Sequence, residues 1–162
     1  MAMTEDKICF LDTNILIYAS DSHSPWHQPA NEKIKKFLSE GFRLCISPQI
    51  LREYVSVASR STGTEKPVPW DMILKNYESF QKNFTLLGED RDTVNELRQL
   101  LSTIPAAGKQ VHDANIVATM LAHNISCLLT NNTVDFSRYS KLITVIPLSE
   151  KGETLPIFRD IL

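Results

Sequence analysis

The chain has 162 residues, 43% hydrophobic and 22% charged, with 17 Lys and Arg against 19 Asp and Glu for a net charge of −2. That length and balance predict one globular domain over residues 1–162 and exclude a disordered, fibrous or uniformly basic chain. Any contact with nucleic acid must then come from a local basic patch or from a site that neutralises phosphate with metal.

In chain order, residues 7–11 (KICFL) read as a short strand, and Asp12-Thr13-Asn14 caps a turn of helix over residues 15–19. Ala30, Ile34, Phe37 and Leu38 have helical spacing, and Gly41 stops that helix. Residues 42–46 alternate as a strand. Ser47-Pro48 then places an N-cap and a first-turn proline in their preferred order, opening a helix to about residue 60. Residues 61–69 (STGTEKPVP) form a polar, proline-bearing linker. Beyond it, helices carry apolar rows at Ile73, Tyr77, Phe80, Phe84 and at Val94, Leu97, Leu100, Leu101, with a short strand at 85–87 and Asp90 as the second helix's cap. Pro105 and Gly108 break the chain before a helix over residues 109–123, ended by Asn124, and residues 127–129 and 142–146 are strands. Strand and helix alternating in one domain predict an α/β fold, a short parallel sheet flanked by helices.

Cys9, Cys45 and Cys127 each lie in an apolar run with no C-x-x-C pair, so they read as reduced core thiols. The first residues, MAMTEDK, are acidic where a signal peptide is basic, and no run approaches the ~20 apolar residues of a membrane span. The expectation is a soluble, cytoplasmic protein with no membrane partner.

In parallel α/β folds, ligands gather beyond the carboxyl ends of the strands. Asp12 follows the first strand, and Thr130, Asn131 and Asn132 follow the strand at 127–129. At about 100° per residue, Glu53 lies about 40° from Val57, at the border of its helix's apolar arc. Asp113 sits beside Ala114 and Val117 in the same manner. Acidic side chains bordering a core repel one another unless a cation compensates, and clustered carboxylates are the ligands that Mg²⁺ or Mn²⁺ prefers. The inferred site is a divalent-metal site.

Four segments carry a family likeness: FLDTNILIY (residues 10–18), SPQILREYVSV (47–57), VHDANIVATMLAHNI (111–125) and LLTNNTVDF (128–136). In their order and spacing they resemble the PIN-domain ribonucleases, and most closely the VapC-type toxins of type II toxin–antitoxin systems. The resemblance implies a Mg²⁺- or Mn²⁺-dependent endoribonuclease hydrolysing RNA phosphodiesters to a 5′-phosphate and a 3′-hydroxyl. It makes Asp12, Glu53 and Asp113 acidic metal ligands and catalytic groups, with the fourth polar position at Asn132 or Asp135. It also puts the hydroxyls of Thr13 and Thr130 near the site, as supporting or substrate contacts, and implies a cognate antitoxin and a homodimer. His112, beside Asp113, touches substrate, orients a neighbour or simply packs.

Read singly, Asp12 and Asp90 are helix caps and Asp135 closes a turn before Phe136. His23 and His27, four apart in a polar stretch, belong to a solvated helix entrance. Arg43, Arg52, Arg60, Lys66 and Lys109 lie near the motifs without an assigned contact. Trp70, Tyr77, Phe80 and Phe84 are core or interface. The competing functional reading is a PIN-fold module that binds RNA or protein without cutting, kept open by the neutral Asn132. A more distant one is an α/β module with Asp12 as phosphoacceptor.

Overall fold

A computed structural model describes residues 6–60 and 67–149. Residues 61–66 of the predicted linker, Lys66 among them, lie outside the described residues, as do 1–5 and 150–162 of the predicted single domain.

The strands are β1 (Ile8–Leu11), β2 (Arg43–Ile46), β3 (Thr85–Leu86), β4 (Cys127–Leu129) and β5 (Thr144–Ile146). They form one sheet in the order β3-β2-β1-β4-β5, and every pairing is parallel. The central strand shows why the sheet must be sandwiched. Cys9, Phe10 and Leu11 have no exposed surface, so both faces of β1 are covered, as parallel strands require.

Among the described residues there are seven α-helices: α1 (Thr13–Ser20), α2 (His27–Ser39), α3 (Pro48–Ala58), α4 (Trp70–Asn83), α5 (Arg91–Thr103), α6 (Lys109–Ala122) and α7 (Thr133–Phe136). The strand–helix alternation read from the sequence is the observed architecture. Their stop signals also act as read: Gly41 takes φ +86°, left-handed backbone that suits glycine, directly after the C-cap Glu40. Asp90 caps α5 by accepting from the backbone N–H groups of Asp92 and Thr93.

Three local expectations shift. Ser47 occupies the N-cap of α3 but its hydroxyl makes no cap bond; Glu89, 40 residues away, accepts from Gln49 N at 3.1 Å instead. The strand expected from residue 142 begins at Thr144, because Leu142 N and Ile143 N first close a turn on Tyr139 O. The turn expected before Phe136 is a helix of four residues, α7.

Cys9 and Cys45 are buried thiols, whereas Cys127 is half-buried, and none of the three forms a disulfide. Tyr77, Phe80 and Phe84 pack on the core, with the Phe80 ring edge-on to Tyr54 at 4.9 Å. Trp70 instead stands 58% exposed. Among the described residues, no helix is long and apolar enough to cross a membrane.

Candidate metal centre

With β2 and β3 on one side of β1 and β4 and β5 on the other, the chain reverses direction across the sheet between β1 and β4. Crevices of this kind open beyond the carboxyl ends of the strands. Asp12 and Thr130 directly follow those two strands, and the Asp12 N–H donates to Leu129 O at 3.1 Å.

Asp12 leaves β1 in extended backbone and caps α1, Oδ1 accepting from Thr13 N at 2.7 Å. Its Oδ2 accepts from Thr130 Oγ1 at 2.7 Å and from Asn14 Nδ2 at 3.1 Å. Asn14 in turn accepts from Asn131 N through Oδ1, so it staples α1 to the loop after β4. Asp12 is only 2% exposed. That burial, then the charge of Glu53, pushes its carboxyl up to about 6 against the opposing pull of its three hydrogen bonds.

Glu53 reaches the same place from α3. Thr13 Oγ1 donates to its Oε2 at 2.5 Å, within the range of a charge-assisted hydroxyl–carboxylate bond, and Gln49 Nε2 donates to Oε1 at 2.8 Å. Asp113 arrives on α6, half-buried. Burial raises its carboxyl to about 7, followed by the negative charges of Asp12, Asp135 and Glu53, while the Arg138 guanidinium pulls the other way. Asp135 stands exposed on α7, and Asn132 sits at that helix's N-cap with its N–H on Thr130 Oγ1 at 3.0 Å.

These side chains frame one open pocket of roughly 710 Å³. Thr13, Glu53, Asp113, Asn132, Asp135 and the exposed His112 line it, whereas Asp12 and Thr130 lie beneath its floor. Arg52, Arg60 and Lys109 share its wall; Arg43 does not. His23 stays at the surface beside Asp21, and His27 bonds Tyr18 O through Nδ1, so the histidine pair forms no ligand set.

Sequence reasoning missed the residue that joins the two acidic helices. Gln49 is 4% exposed, and its amide is fully engaged. Nε2 donates to Glu53 and to His112 O at 3.0 Å, and Oε1 accepts from Asn115 Nδ2 at 2.7 Å. Its partners on α6 lie 63 and 66 residues away, so no local pattern announces it. The available signal was the four-residue spacing of Gln49 and Glu53, which puts both side chains on one face of α3.

Does the donor set fit a metal? It is all oxygen, four carboxylates strong, and two of those carboxyls are held above their ordinary range partly by mutual repulsion, which a divalent cation would relieve. Among the described residues, however, no three His, Cys, Asp or Glu side chains converge closely enough to grip one ion as they stand. Both Glu53 oxygens accept hydrogen bonds, from Thr13 and from Gln49. The chemistry fits, and each Glu53 oxygen keeps a lone pair that a cation could take while Thr13 and Gln49 hold the side chain.

Comparison with known proteins accords with this geometry. Residues 9–142 match the PIN domain. The chain belongs to the PIN-domain family. A similar protein, Ribonuclease VapC48 of Mycobacterium tuberculosis, is 23% identical over 140 residues, covering 85% of this chain and 96% of the relative. Among solved structures, VapBC2 from Rickettsia felis bound to a promoter DNA fragment superposes with a TM-score of 0.65 at 21% identity, over 86% of this chain and 98% of that one. A toxin–antitoxin complex from Klebsiella pneumoniae gives a TM-score of 0.63 at 20% identity, over 88% and 99%. At such identities the structural likeness speaks for the PIN fold.

Proposed function

We propose that this PIN protein is a Mg²⁺- or Mn²⁺-dependent endoribonuclease, the toxin of a toxin–antitoxin pair. One observation carries the reading: α3, α6 and α7 each bring an acidic residue to the wall of a single pocket at the reversal point of the sheet, and Asp12, directly after β1, lies buried beside it. The similarity to a protein named ribonuclease and to a toxin–antitoxin complex supports it.

Asp12, Glu53 and Asp113 would hold the cation, with Asn132 or Asp135 completing the set. Bound there, it would offset charge on the phosphate and make water a stronger acid. The chain's own groups do the rest. Asp135, exposed on the pocket wall, is placed to accept a proton at its carboxylate from the attacking water. Arg52 and Lys109 on the same wall hold the flanking RNA phosphates. Thr13 and Thr130 fix Glu53 and Asp12 through their hydroxyls, and exposed His112 meets the substrate.

α4 turns Trp70, Met72 and Leu74 outward, 58%, 48% and 45% exposed. Trp70 and Leu74 share one face of this helix and Met72 lies nearly opposite; the helix, beside the linker, is the candidate surface for the antitoxin and for a second copy of the chain.

The test is cleavage of total bacterial RNA with Mn²⁺, with mapping of the new ends. Wild type should produce 5′-phosphate ends that vanish without metal, and Asp113→Asn should lower their yield at least ~100-fold. The non-cutting reading is favoured by one observation, the engagement of both Glu53 oxygens by neutral partners. Metal binding with no new ends in any RNA would decide for it. A phosphoacceptor role for Asp12 is disfavoured by its 2% exposure.

A further inference from the structure

At the opposite end of the two strands that deliver Asp12 and Thr130, the register places Cys9 directly beside Cys127. Their sulfurs lie 2.9 Å apart, one thiol hydrogen-bonded to the other. Neighbouring parallel strands hold their Cα atoms within the span a disulfide accepts, and the sulfurs need to close only about 0.9 Å to bond. We propose that Cys9 and Cys127 form a dithiol that a hydroperoxide oxidises to a disulfide within the native fold, a modification site independent of the acidic pocket.

The two thiols divide the work by exposure. Cys9 has no exposed surface, while Cys127, half-buried at the start of β4, is the one an oxidant can reach. The Cys127 thiol donates to Cys9 Sγ in the reduced pair; the neighbouring Cys9 holds the Cys127 thiol below its ordinary value, while that same neighbour and burial keep the proton on Cys9. The Cys127 thiolate attacks the peroxide O–O bond, giving a sulfenic acid and releasing alkoxide or hydroxide. The Cys9 sulfur then displaces hydroxide from that sulfenic sulfur, and the Cys9 proton leaves with it as water. One peroxide is reduced by two electrons and one dithiol is oxidised.

Cys45 is no alternative partner. It registers with Phe10, one residue on from Cys9, and side chains alternate across a strand, so Cys45 projects from the other face of the sheet. The sulfurs of Cys9 and Cys127 share a face with Leu44 and Thr144 in the same row.

The experiment treats the full chain with hydrogen peroxide, denatures it in an alkylating agent and weighs it. Expected is a drop from three alkylated thiols to one, with two hydrogens lost and a peptide pair linking Cys9 to Cys127. Dithiothreitol should restore all three thiols. Cys127→Ser should abolish the linked pair and Cys45→Ser should leave it intact. The oxidised protein should melt no lower than the reduced one, since the bond closes in native geometry. Three thiols persisting, a sulfinic acid at Cys127, a bond to Cys45, or a lowered melting temperature would each overturn the proposal. None of these outcomes depends on metal binding or RNA cleavage.

Discussion

Asp113 carries the clearest electrostatic signature in the pocket. Its carboxyl rises from an ordinary 3.8 to about 7 on folding, so the folded state binds that proton more tightly than the unfolded one. Its contribution is therefore most favourable below 3.8 and is lost as pH climbs through 7. In the absence of metal, the stability difference between Asp113→Asn and wild type should grow from pH 4 to pH 8 in the variant's favour. Because the group is only partly buried, the gain at pH 8 is about 1 kcal/mol, or roughly 2–4 °C in melting temperature. Thermal melts across that range check it; parallel curves for the two proteins would contradict it. Thr130→Val acts on Asp12 in the same sense, since it removes a donor that holds the carboxyl down. The Asp12 pKa should move above 6 in a carbon-detected NMR titration, with Mn²⁺ binding weakened on the order of 10-fold.

Helices α3 and α6 are locked together by one amide, and Gln49→Ala tests what that lock does. The substitution deprives Glu53, Asn115 and His112 O of a partner each, at a cost of about 1–3 kcal/mol in denaturant unfolding. Mn²⁺ affinity should fall with it, whereas the conservative Gln49→Glu would add a charge beside Glu53 and weaken folding further at neutral pH. The contrast between this residue and the caps explains what the sequence made legible. Gly41, Pro48 and Asp90 act within a few residues of themselves, so their roles follow from backbone chemistry. Gln49 acts across 66 residues, and Glu89 replaces the Ser47 cap across 40, distances at which only the fold decides who meets whom. α7 was illegible for a different reason: a single turn has no periodicity to read.

The sheet order explains why scattered acids converge. Asp12 follows β1, Thr130 follows β4, and the helices after β2 and before β4 bring Glu53 and Asp113 to the same reversal point. The strand–helix alternation and the acidic candidates for the site could be read in advance, but the depth of Asp12 and the hydrogen bonds that hold Glu53 could not. The pocket gathers the carboxylates of Glu53, Asp113 and Asp135 beside buried Asp12, so a cation binding among them should stabilise the native state. At a free concentration 100 times its dissociation constant, Mn²⁺ should add ~2.7 kcal/mol, raising the melting temperature by roughly 5–10 °C. The most direct test is calorimetric titration of Mn²⁺, at millimolar metal, into wild type and Asp113→Asn. Saturable binding to wild type that Asp113→Asn removes is the predicted result; no binding to folded wild type, or equal binding to both, would contradict a metal centre in this pocket.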